Sequence, residues 1–200
     1  MVTVPNVVVW KTLRYTRKDG EFYLKNLREA GSIFLLEGVY DAVADILVRI
    51  GSSGQEVEVD LVKLTGHELA VSLPERVFEG SEEVLPLPEI VYPLAASAGL
   101  ALCEPEVAAE LCIQGLAKEL VNPEPSFSRR FPRHDRVANV ASRTVVPGPR
   151  RVNCFSLRGA SISTILAADT GKFPDVCLGC NYPREFFLDR QWVFALPRPS

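Results

Sequence analysis

The 200-residue sequence is poor in the side chains on which much of protein chemistry depends: two histidines, one methionine, two tryptophans and an odd number of cysteines, five. With so little histidine, any imidazole-based catalysis or metal ligation must fall to His67 or His134. An odd cysteine count fits a reducing compartment, where buried thiols behave as small hydrophobes, and Cys103 and Cys112 sit at helical spacing in an apolar stretch. No disulfide framework is expected. The sequence also lacks an apolar run of the roughly 20 residues that a membrane-spanning helix needs. Its longest uncharged stretch of interest, Ile90 to Cys103, is shorter and is interrupted by Pro93 and Gly99. At the N-terminus, Met1-Val2-Thr3-Val4-Pro5 has no basic region, and the apolar run that follows extends only from Val7 to Trp10. Neither a secretory signal nor a transit peptide is read there, so the expectation is a soluble, cytoplasmic protein without a membrane partner.

Compact catalytic signatures are missing too. There is no G-x-S-x-G elbow, no H-E-x-x-H helix and no glycine-rich dinucleotide fingerprint. Asp169-Thr170-Gly171 matches the tripeptide that presents an aspartic protease carboxylate, but it has no second copy and only 29 residues follow Gly171. A turn is the simpler reading. Gly171-Lys172 fails as a phosphate loop, because Phe173 stands where a Ser or Thr would hold magnesium. His134 has Asp135 beside it, but adjacent strand residues point to opposite faces, so they make a poor acid-base pair.

What is present is a globular composition: 47% apolar and 24% charged residues, in a length suited to one domain with a sizeable core. The expected fold class is α+β, with antiparallel β-hairpins packed against two or three helices and an irregular, β-containing C-terminal region. Val7 to Tyr15 and Glu21 to Leu27 flank Asp19-Gly20, a two-residue hairpin signal. Glu56 to Lys63 and His67 to Leu73 alternate in phase across a loop Leu64-Thr65-Gly66, which predicts a second hairpin. The hairpins then occupy residues 7–27 and 55–73, and Glu56, Glu58 and Asp60 line a solvated acidic face. Val39, Val43, Ile46 and Ile50 predict an amphipathic helix over 39–50, capped by Gly51. Glu104-Pro105-Glu106 starts a second helix over 105–121, with Val107, Leu111 and Leu116 inward. The predicted core is Leu13, Leu24, Val43, Ile46, Val59, Val71, Leu111 and Leu116. The connection over 74–93 carries Pro74, Pro86, Pro88 and Pro93 and reads as irregular. Beyond it, strands are expected at Val152 to Leu157, Ser161 to Leu166 and Trp192 to Leu196. The character of the chain changes near residue 122, which separates an α+β core, 1–122, from an Arg/Pro-rich region, 123–200, packed on the same domain.

Charge divides the chain further. Residues 1–28 hold six Lys/Arg against two acids, residues 29–125 four against eighteen, and residues 126–200 twelve against five. Such polarity fits a polyanionic partner, contact between copies, or neutralisation within one fold. The basic segment Ser126 to Arg151 stands out. It holds Arg129, Arg130, Arg133, Arg136, Arg143, Arg150 and Arg151, with Asp135 its only acid and no lysine. Guanidinium forks match phosphate and stack on bases, and Phe127 and Phe131 add stacking surfaces, so RNA or another polyanion is the first partner expected. A second copy or a protein partner is the next, and docking on the chain's own acidic region is the bland reading.

Cys177-Leu178-Gly179-Cys180 has the spacing of half a zinc site on a tight turn. Cys154 and His134 are the first candidates to complete it. A redox dithiol and two ordinary thiols beside a turn are the other readings, and the last is preferred, so no cofactor is expected. The functional expectation is therefore a non-enzymatic interaction protein that uses residues 126–151 to bind RNA or phosphate or to self-assemble. The alternatives are a small enzyme of unidentified chemistry and a structural zinc-containing domain.

Overall fold

The computed structural model describes residues 7–30, 39–70, 84–85, 92–121, 137–142, 154–159, 176–181, 186–187 and 191–198. Along the chain these form β1 (Val9–Thr16), α1 (Gly20–Glu29), α2 (Val39–Leu47), β2 (Glu56–Thr65), α3 (Gly66–Ala70), β3 (Val84–Leu85), α4 (Tyr92–Ser97) and α5 (Pro105–Ile113). A 3-10 turn, Leu116–Glu119, follows, then β4 (Val137–Ala141), β5 (Cys154–Gly159), β6 (Val176–Asn181), β7 (Phe186–Phe187) and β8 (Gln191–Leu196). The class is α+β, as the composition and patterning predict.

Six strands form one mixed sheet in the order β1-β2-β8-β4-β5-β6. Every neighbouring pair is antiparallel except β4 and β8, which run parallel. β8 is internal and buried from Trp192 to Ala195, which explains its nearly unbroken apolar run. Past the end of β4, Ala101 takes up the β8 edge through two bonds with Ala195, at 2.8 and 2.9 Å. The short pair β3 and β7 forms a separate two-stranded sheet.

Alternation sends neighbouring residues to two different cores. On one face, Leu13, Tyr15, Leu61, Val140, Phe155, Leu157, Leu178 and Val193 meet Tyr23 and Leu27 of α1, Val43, Ile46 and Leu47 of α2, and Val107, Ala108 and Leu111 of α5. On the other, Val62, Leu64, Trp192 and Phe194 pack with Leu69 of α3, Ala95 of α4 and Leu100. A bulge lets β1 serve both faces: Val9 pairs with Val62 but Lys11 with Leu61, so one extra residue is accommodated between them.

Neither predicted hairpin forms. Asp19-Gly20 is a helix start rather than a turn: the Asp19 carboxylate accepts the Phe22 amide N–H at 2.8 Å and caps α1. Asp serves both motifs, and the spacing of Gly20, Tyr23 and Leu27 decides for the helix. β1 instead pairs with β2, so Tyr15 lies opposite Val57 and not Leu24. In the second case β2 runs through Thr65, and Thr65-Gly66-His67-Glu68 is a capping box that opens α3. The Glu68 amide donates to Thr65 Oγ1 at 3.2 Å, and the Thr65 amide to Glu68 Oε2 at 2.6 Å.

The helix predicted over 39–50 ends at Leu47 and tightens through Arg49 and Ile50, whose amides bond three residues back. The helix predicted over 105–121 stops at Ile113, because Gly115 adopts φ 71° and the chain re-enters as the 3-10 turn. Of the predicted core, Leu13, Val43, Ile46 and Leu111 are fully buried, while Leu24, Val59 and Leu116 pack at its margin. Val71 and the strand expected at 161–166 lie outside the described residues, as does most of the connection over 74–93. β5 and β8 fall where strands are expected.

Gly20 fixes how α1 meets α2. Its amide donates to the Ile50 carbonyl at 3.0 Å, and a Cβ placed on it would lie 2.0 Å from the Leu47 carbonyl oxygen. Backbone cannot yield there as a side-chain tip can. Gly20→Ala is therefore expected to cost about 1–3 kcal/mol or more, through forced separation of the helices. Leu111→Ala should cost about 2–5 kcal/mol as a cavity in the core. Denaturant unfolding at neutral pH measures both.

Candidate functional site

α5 is buried on every side from Glu106 to Cys112, so its two carboxyl groups are drawn into the interior with its apolar residues. Glu106 is 2% exposed and Glu110 6%. They stand four residues apart, on consecutive turns of one helix face. The neighbours are assembled from three other places in the sequence. Tyr15 comes from β1, Arg17 from the link after it, and Tyr23 from the buried stripe of α1. Arg17 Nε donates to Glu106 Oε1 at 2.6 Å, and the Tyr15 hydroxyl donates to the same oxygen at 3.5 Å. Gln114 Nε2 donates to Glu110 Oε2 at 2.9 Å and to the Arg14 carbonyl at 3.1 Å. The Tyr23 hydroxyl accepts the Lys18 amide N–H at 3.3 Å.

Burial dominates the proton equilibria here. It raises Glu110 above the usual carboxylate range, Glu106 adds to the rise, and the bond from Gln114 opposes it. Burial pushes Tyr23 up to about 12 and lifts Tyr15 well above an ordinary phenol, with Glu106 reinforcing the shift at Tyr15. Both tyrosines therefore stay protonated across the physiological range. The most open member is Arg17, whose side chain is 30% exposed. The cluster binds α5 to β1 and the link after it, but its carboxyl groups are shielded from any large substrate.

A second cluster lies on the acidic face predicted for Glu56, Glu58 and Asp60. Asp60 is held in a fork by Arg198, with Nε at 2.8 Å and Nη2 at 2.9 Å, and Thr12 Oγ1 donates to it at 2.6 Å. Glu58 pairs with both Arg14 and Arg198. The bonds from Arg198 and then Thr12 hold Asp60 at about 2, and those from Arg198 and Arg14 lower Glu58. Farther along β1, Lys11 meets Glu119 at 3.1 Å. The face is acidic by composition but is largely neutralised by cations from β1 and from the residues after β8.

Phe127, Arg129, Arg130, Phe131, Arg133, His134, Arg136, Arg143, Arg150 and Arg151 all lie outside the described residues. His67 belongs to α3 and not to the exit of a hairpin. Cys177 and Cys180 occupy β6, opposite Arg158 and Phe155 of β5, and Cys154 pairs with Asn181. The tight turn expected at Cys177-Leu178-Gly179-Cys180 is thus corrected to an extended strand, on which positions three apart belong to opposite faces. The apolar Val176 and Leu178 and the pairing offered by β5 outweigh the turn preference of Gly179. Among the described residues, no group of three His, Cys, Asp or Glu is arranged to hold a metal ion, and no helix is long and apolar enough to cross a membrane.

The buried cluster of Tyr15, Arg17, Tyr23, Glu106 and Glu110 was not anticipated by sequence reasoning, which took Glu106 for a first-turn acid serving the helix dipole. One signal was available. Glu106 and Glu110 are embedded in Val107-Ala108-Ala109 and Leu111-Cys112, apolar on all sides, so a helix there must bury acids along with its hydrophobes. Comparison of the chain with protein-family models, with curated proteins and with solved structures returns no match.

The pH dependence of the exposed cluster has a definite sign. Asp60 is depressed in the folded chain, so its contribution is present above the ordinary carboxylate range and is lost as pH falls toward about 2. Arg198→Ala should lower the Tm slightly at pH 7, and the deficit should shrink as pH falls through the window between 3.8 and about 2. Added salt should reduce the same deficit, because the pair is exposed. Thermal scans across pH and ionic strength check both.

Proposed function

We propose that the chain is a non-enzymatic interaction protein whose arginine-rich segment, residues 126–151, binds the phosphates of RNA. The observation that supports this reading concerns the competing partner. Glu58, Asp60, Glu106 and Glu119 belong to the acidic region that would otherwise attract the segment, and they are engaged by Arg14, Arg17, Lys11 and Arg198. All four cations come from outside residues 126–151. Four of the eighteen acids of residues 29–125 are thus engaged by other cations, which supports an external polyanion as the partner of the arginines. Seven guanidinium groups against one carboxylate over this segment, with Phe127 and Phe131 close by, suit phosphate contact with base stacking. The closed setting of Glu106 and Glu110 is consistent with a structural role and supports a protein without a catalytic centre there.

The reading requires steep salt dependence. Binding to single-stranded RNA should weaken with a logarithmic slope of about −0.7 per phosphate contact, and Arg129, Arg130 and Arg133 replaced together by Ala should flatten it. Fluorescence anisotropy with a labelled oligonucleotide measures this. If the triple change instead shifts an oligomer toward monomer and leaves RNA binding unaltered, the partner of the segment is a second copy. A monomer that ignores RNA at low salt, and whose triple variant loses thermal stability, would show the arginines serving their own chain.

No metal requirement belongs to the same proposal. The extended strand at Cys177 and Cys180 supports it by removing the turn on which a zinc half-site depends. Protein prepared without chelator should carry no stoichiometric zinc, and its unfolding curve should be unchanged by a chelator. One zinc per chain, lost on Cys177→Ser, would instead make Cys177 and Cys180 ligands, with Cys154 and His134 the first partners to test.

A further inference from the structure

We propose that the outer edge of β1 is a docking surface for a second copy of this chain, the two strands pairing antiparallel about a two-fold axis at Thr12 so that the sheets of both copies join. The surface is separate from residues 126–151 and does not depend on RNA binding.

β1 is the end strand of the six and pairs with β2 alone. Two bonds fix the direction of its main-chain groups. Just past the strand, the Arg17 amide donates to the Gln55 carbonyl at 2.8 Å, so Arg17 faces β2, and by alternation Tyr15, Leu13 and Lys11 do too. Thr12, Arg14 and Thr16 then turn their N–H and C=O groups outward. The Arg14 carbonyl bears this out, since Gln114 Nε2 reaches it from beyond the sheet at 3.1 Å. Among the described residues, no other hydrogen bond reaches the outward row from Thr12 to Thr16. A carbonyl oxygen has two acceptor sites, so the Gln114 bond does not close that position.

The side chains leave this edge open as well. Val8 is 64% exposed and Val9 41%, so an apolar strip adjoins the unpaired main chain, and Thr12 and Arg14 are exposed beside it. Charge is the usual guard of a strand edge. Here both cations are already engaged on their own chain, Lys11 by Glu119 and Arg14 by Glu58. The edge therefore presents bound pairs of both signs and selects neither a polyanion nor a polycation.

A second copy meets these conditions. At a two-fold axis, the Thr12 N–H bonds the C=O of the same residue in the other copy and receives the reciprocal bond, so both outward groups are satisfied at once. Counting from that axis, Val8 and Val9 fall beside the C-terminal half of the second β1 and leave water. Such a contact closes on itself and does not propagate into a filament. The bulge between Val9 and Lys11 shortens the regular stretch, which makes the dimer reversible and dependent on concentration.

Sedimentation velocity and amide hydrogen exchange on the full chain test the edge. The parent should show a monomer–dimer equilibrium at high micromolar concentration and dissociate on dilution. Added salt should change the dimer fraction little, because main-chain bonds and apolar cover hold it. Arg129, Arg130 and Arg133 replaced together by Ala should keep the dimer, which separates this contact from one made by the arginine segment. Val8→Lys with Val9→Lys, at two exposed positions that the fold does not need, should raise the dissociation constant about tenfold or more by placing charge on the pairing row. The Thr12 amide should gain several-fold protection from exchange as concentration rises, while the Leu13 amide, turned toward β2, stays protected throughout. The proposal is overturned by a chain that stays monomeric at high concentration, by a dimer that salt or the triple Arg change dissolves, by one that survives the double Lys change, or by Thr12 exchange indifferent to concentration.

Discussion

α5 is surrounded, and that single constraint organises half of the molecule. A helix packed by α1, α2, β6 and a 3-10 turn has no solvent face on which to carry polar residues, yet its sequence includes two glutamates. Each buried carboxyl group must be satisfied or the helix cannot remain where it is. Satisfaction comes from Tyr15, Arg17 and Gln114, and these requirements position β1 and the link after it against the helix. The polar cluster thus registers elements whose apolar contacts alone would tolerate sliding. Apolar packing supplies the larger share of the stabilisation, and the hydrogen bonds select the arrangement.

The electrostatics of the sheet's open corner follow a different logic. Arg14, Thr12 and Arg198 are substantially exposed and Glu58 and Asp60 partly so, and their bonds contribute little cohesion individually. Their value lies in connecting β1, β2 and the residues after β8 across three adjacent strands. They also pair two of the eighteen acids that the composition assigns to residues 29–125. Local charge counts in a sequence overstate the field that a folded surface presents, because the balancing cations can come from distant segments.

The legible part of the sequence was the part governed by periodicity. The stripe Val43, Ile46 and Leu47 identified α2, and the Pro105 start with Val107, Ala108 and Leu111 identified α5, because a one-sided apolar pattern has few alternatives. The turns were harder to read. Asp19-Gly20 and Thr65-Gly66 contain residues that serve hairpins and helix starts alike, and the choice depends on which strand is available as a partner. β1 and β2 are joined by pairing across α1 and α2, a long-range fact that no local window contains. β6 was hidden for the same reason: Gly179 and two cysteines read as a turn until β5 is placed beside them. The carboxylate cluster was hidden differently, since its bonded members Tyr15 and Glu106 lie 91 residues apart and acquire meaning only from burial. The arginine-rich segment remains what composition makes it, a concentrated source of donors.

The position of β8 bears on how such a chain reaches its native state. β2 finds its second neighbour in a strand that begins at Gln191, and the bond from Arg198 to Asp60 closes a separation of 138 residues. Val62 and Leu64 on β2 have no cover from Trp192 and Phe194 until that late segment has been synthesised. During elongation the N-terminal strands must therefore exist for some time as an open edge with an uncovered apolar row. Topology of this kind couples slow, non-local closure with exposure to mispairing.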